Sequence, residues 1–231
     1  MSRIALASAL VLSLFSSVAS AEVAYVPRQA PHFAQAPTDM GVDPGRVAPQ
    51  RTLDRDSVRT ALLAQRAKNL AAFRAYRKAA VFPNNTYQGK IINVWRDDAG
   101  HLCAVANLVN LSGDTALVNR VAEQNNFIRL GTVRSGPLLD WMLTSGFTQD
   151  EIAQIQLPDS PVTMGPRPHP IERPLPIDAG LRATETARLA KGFARVDAQL
   201  VKNQKASIEA AVTRLMKKPQ LAWQLVDGAD A

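Results

Sequence analysis

Residues 90–111 read KIINVWRDDAGHLCAVANLVNL, and the fold class turns on what this stretch forms. Ile91, Ile92, Val94 and Trp95 give its first third a strand-like composition, and residues 96–101 interrupt the apolar pattern. Asp98, Ala99 and Gly100 supply turn chemistry, because Asp tolerates unusual backbone angles and Gly has no Cβ to clash at positive φ. The spacing predicts a β-hairpin over about residues 90–109, with strands at 91–95 and 102–109. On the second strand Leu102, Ala104, Ala106 and Leu108 oppose Cys103, Val105, Asn107 and Val109. Both faces are then largely apolar, so helices should cover the hairpin on both sides. The expected fold is α+β and helix-rich, a small hairpin core packed by several helices.

Helical patterns lie on either side. Residues 54–80 carry Val58, Leu62, Phe73, Tyr76 and Ala80 on one face, with Asp54 or Asp56 as the cap. Downstream, Asp114 follows Ser112-Gly113 as a helix start, Gly136-Pro137 opens another helix, and Thr148 with Glu151 forms a capping box. Residues 178–218 form a second long tract in which Leu189, Phe193, Val196 and Leu200 step by four, three and four. The tract reads as one long C-terminal helix, with a polar gap near Asn203 where it can bend and Pro219 as its stop.

The ends and the joints differ in composition. Arg3, an apolar run over residues 4–18 and Ala19-Ser20-Ala21 have the anatomy of a secretory signal peptide cleaved after Ala21. Residues 22–51 hold five prolines and no period, which predicts a flexible arm. Seven prolines fall within residues 158–176. The expected organisation is therefore a signal peptide (1–21), an arm (22–51), a core (52–157), a proline-rich linker (158–177) and a helical C-terminal region (178–231). Cleavage would place the chain in the periplasm or outside the cell, with no transmembrane segment remaining.

Chemistry is sparse. The formal charge is +7, falling to +6 once Arg3 is removed, which suits anionic surfaces without demanding them. Arg55, Arg59, Arg66 and Arg77 flank the apolar stripe of the first helix and form a candidate site for anionic lipid or cell-wall polymer. Cys103 is the single cysteine, so no internal disulfide can form. On a strand, His101 and Cys103 would share a face, which permits a thiol nucleophile with His101 as base and Asp98 or Asp97 orienting the imidazole. The three histidines (His32, His101, His169) lack metal-site spacing, and no phosphate-cradling motif or other cofactor signature is present. Nothing points to specific nucleic-acid binding. The reading that follows is a non-enzymatic interaction or structural module, meeting an unknown protein or a second copy through the C-terminal helix. The thiol enzyme and the anionic-surface binder are the alternatives.

Overall fold

The computed structural model describes residues 52–87, 90–159 and 179–229. The segments read as a signal peptide and an arm, and most of the expected linker, lie outside the described residues. Within them the chain is helical. It forms α1 (Arg55–Ala79), α2 (Ala104–Leu111), α3 (Thr115–Asn125), α4 (Pro137–Thr144), α5 (Gln149–Gln156), α6 (Ala179–Lys202), α7 (Gln204–Leu215) and α8 (Pro219–Ala229), with a 3-10 turn at Leu130–Thr132.

The predicted hairpin over 90–109, and with it the α+β core, does not form. Strand pairing among the described residues is confined to β1 (Thr86–Tyr87) against β2 (Lys90–Ile91) and an isolated bridge between Arg96 and Leu102. The turn at 96–101 is present. Asp97 O accepts the Gly100 amide at 3.0 Å, and Gly100 takes φ +85°. The second strand is the error, because AVANLVNL is helix α2. An eight-residue run apolar on both faces fits a buried strand and a buried helix equally by period. Burial of Ala104, Val105, Ala106, Leu108 and Val109 makes α2 a central helix rather than a two-sided strand. Ala104 and Ala106 favour that outcome, since Ala loses no side-chain freedom in a helix.

The other start signals hold. Asp54 caps α1 by accepting the Ser57 amide at 2.9 Å, Asp114 caps α3, Pro137 is the first residue of α4, and Thr148 and Glu151 form the capping box of α5. The tract over 178–218 is two helices, not one long one, and a third follows it. It breaks at Asn203, and Pro219 opens α8 instead of ending the structure. Proline suits a first turn, whose amides have no intrahelical partner anyway.

Helix α1 is the element the others share, touching α2, α6, α7 and α8. Phe73 and Tyr76 on α1 meet Phe82 and Phe193 in an aromatic cluster, with ring centroids 5.3–5.9 Å apart. Leu189, Phe193, Val196 and Leu200, the stripe that suggested a self-associating helix, are buried in the chain's own core. Fully burying each such side chain contributes about 1.5–3 kcal/mol, so these helices hold the core together.

Candidate functional site

The loop from Trp95 to Cys103 is organised by Asp97 rather than Asp98. The Asp97 carboxylate accepts the amides of Asn84 (2.8 Å), Ala99 (3.0 Å) and His101 (2.8 Å), and lies 3.0 Å from His101 Nδ1. Asp98 is exposed. The imidazole is 43% exposed, whereas Cys103 is buried at 4% exposure and caps α2, its Sγ accepting the Ala106 amide at 3.4 Å. Residues 101–103 stay extended, with Leu102 bridged to Arg96, but the imidazole is held at the surface by Asp97 while the thiol is buried under the start of α2. Burial pushes the Cys103 thiol up to about 12, outweighing the amides of Ala106 and Val105 that favour the thiolate. A thiol nucleophile needs the opposite shift.

Asp97 carries a pH dependence. Burial raises its carboxyl pKa, but the hydrogen bonds from the Asn84 amide and from His101 win and hold it below the ordinary value. A carboxyl depressed by folding adds stability that is complete above its unfolded pKa of about 3.9 and is lost as pH falls through the folded value. Asp97→Asn should therefore lower the urea midpoint at pH 7, and the gap to wild type should close as the pH drops below about 4. A gap independent of pH would mean that the carboxylate's charge adds nothing.

The four arginines proposed as an anion site already bind carboxylates of this chain. Arg59 grips Glu209 (Nε–Oε1 2.7 Å) and Asp56, and Arg55 lies 4.0 Å from Glu209. Arg77 pairs with Asp197, which also accepts Arg74 Nε at 2.9 Å. Arg66 is 1% exposed and forks onto Glu151 at 2.8 and 2.9 Å. The arginine row thus faces α5, α6 and α7. Sequence periodicity placed it correctly beside the apolar stripe. Glu151, Asp197 and Glu209 escaped because each lies 85 or more positions from its arginine along the chain.

A groove of about 510 Å³ opens elsewhere on α1. Ala61, Ala64 and Lys68 of α1, Trp141 of α4, and Leu221 and Leu225 of α8 are among the residues that line it. Small residues at 61 and 64 keep that part of α1 low. Trp141 is fixed by its indole Nε1, which donates to Ser112 Oγ at 3.0 Å, while Ser112 Oγ donates to Val109 O at 2.7 Å. The volume falls within the usual range for ligand sites, roughly 300–1,000 Å³. No family model matches the chain, and no curated protein or solved structure matches it significantly. The groove was legible only in hindsight, from the Ala61/Ala64 and Leu221/Leu225 spacings on helices that could not be paired from sequence. No helix among the described residues is long and apolar enough to cross a membrane, and no group of three metal-ligating side chains occurs among them.

Proposed function

We propose that the protein is an exported, non-enzymatic interaction module, acting in the periplasm or outside the cell, that receives its partner in the groove between α1, α4 and α8. The groove carries this reading. It joins an aromatic side chain held by hydrogen bonds, two leucines and a few polar groups in one concave surface, the composition typical of recognition sites. The α6 stripe and the arginine row, which had suggested self-association and anionic surfaces, are engaged inside the fold and lend those readings less support. The thiol-enzyme alternative requires Cys103 to be alkylated in the folded protein, and its burial favours reaction only on unfolding.

Ala64 is an exposed groove residue, so a large side chain there should fill the groove without entering the core. A photo-crosslinking residue at position 64, in the protein expressed in its own host, should give one discrete adduct. Exposed Val81, outside the groove wall, is the control. Adding Leu225→Trp should suppress the adduct. Equal labelling from both positions, or an adduct indifferent to Leu225→Trp, would remove the groove from consideration.

A further inference from the structure

Asn85 lies in the segment leading into β1, packed against α6 and only 5% exposed. Its Nδ2 donates to Glu185 Oε1 at 2.7 Å. Glu185 is 1% exposed and is itself forked by Arg188, with Nε–Oε2 at 2.7 Å and Nη2–Oε1 at 2.9 Å. An ionised carboxylate only accepts, so it dictates which end of the amide faces it; the flipped amide would set two acceptors together. The Asn85 carbonyl oxygen is thereby turned away from Glu185, buried, and without a hydrogen-bond partner among the described residues. A buried acceptor left in that state is costly, and such groups are normally satisfied by protein or by an ordered water.

The protein has little to offer it. Asn85 lines a cavity of about 20 Å³ together with Tyr76, Asn93, Cys103, Gln156 and Phe193. Asn93 and Gln156 each turn one N–H to Ile128 O, the Tyr76 hydroxyl donates to Leu102 O at 3.0 Å, and none of the three donates to Asn85 Oδ1. Cys103 Sγ accepts from the Ala106 amide, which leaves its S–H as a weak donor on the cavity wall. One water needs roughly 10–15 Å³ and two or more polar partners. The cavity meets the first condition with little to spare, and Asn85 and Cys103 supply the second. We propose that a single ordered water occupies this cavity, donating to Asn85 Oδ1 and accepting the Cys103 thiol proton, and so tying the start of α2 to the segment that α6 holds. Cys103 then has a structural role as a cap whose S–H donates a hydrogen bond to the bound water, and a serine should serve as well.

Two measurements test this. In the wild-type protein, water-to-protein magnetisation transfer should give a cross-peak from a long-lived water to the Cys103 β-protons and the Asn85 side-chain amide. In Cys103→Ser the hydroxyl keeps the cap to Ala106 and finds the same water, so Tm should stay within about 2 °C of wild type or rise. Absence of the cross-peak would overturn the proposal. So would a drop of about 4 °C or more in Cys103→Ser, the loss given by a buried hydroxyl without a partner.

Discussion

Glu151→Ala should be among the most destabilising single substitutions in this chain, at about 3–5 kcal/mol, because it strands a buried guanidinium. Arg66 reaches across from α1 and makes four hydrogen bonds. Two go to the Glu151 carboxylate, one to Gly146 O at 2.9 Å, and one to Leu200 O at 2.6 Å. Ser207 Oγ on α7 donates to Glu151 Oε1 at 2.7 Å, and Glu151 Oε2 accepts the Thr148 amide in the capping box at 2.9 Å. One ion pair therefore joins α1, the α4–α5 turn, α5, the end of α6 and α7. Removing the carboxylate leaves the arginine charge with neutral acceptors only, far from water, and takes away the side-chain acceptor of the Thr148 amide in the same step, although Thr148 Oγ1 still caps α5. At about 2–4 °C per kcal/mol for a chain of this size, Tm should fall by roughly 6–20 °C. The pair itself need not add net stability, since desolvating two ions offsets most of their attraction. The double variant Arg66→Met/Glu151→Leu should accordingly lose less than the two single losses added together. Strict additivity would show that the two charges do not depend on each other.

That network also marks where sequence reading stops. Local signals were legible because they are written in neighbouring residues. Asp54, Asp114 and Thr148 each satisfy an amide three positions on, and any chain carrying them at a helix start gains the same bond. The turn at residues 96–101 belongs to the same class, with Asp97 accepting amides two and four positions on. What failed was the meaning of a short apolar run. Nothing inside AVANLVNL decides between strand and helix; the decision comes from α1, α3 and α5, which enclose it as a helix. The dyad of His101 and Cys103 loses support on other grounds, because the thiol is buried as the cap of α2 while the imidazole is turned to the surface. The arginine row was legible only in part. Its position was right, but its partners, Glu209, Asp197 and Glu151, are brought to it by the C-terminal helices and the α5 cap. Charge on a helix face says only that something polar lies opposite, and here it is the same chain.

Gly146→Ala should cost about 2–6 kcal/mol, from two sources that a control can separate. Gly146 sits at φ +80° in the turn after α4, where a side chain strains the backbone by about 1–3 kcal/mol. It also lies hard against α1. A Cβ built on it would stand 2.5 Å from Leu62 O, and 2.7 Å from both Arg66 N and Arg66 Cβ. Those are backbone or backbone-proximal atoms of a long helix and cannot swing aside, so the turn must retreat, which adds about 1–3 kcal/mol of overpacking. Retreat loosens what the turn holds in place. Ser145 O leaves Asn69 Nδ2, now at 2.8 Å, Gly146 O leaves Arg66, and the Phe147 ring moves from under the guanidinium, whose carbon lies 4.8 Å from the ring centre. Gly113 provides the control. It has φ +95° in the turn between α2 and α3, with nothing within 4 Å of an added Cβ. Gly113→Ala should show the backbone strain alone, and the excess loss in Gly146→Ala then measures the contact with α1. Equal losses at the two sites would mean that the turn shifts freely on α1. In that case Arg66 and Glu151 would also tolerate displacement, and the large effect expected of Glu151→Ala would shrink with it.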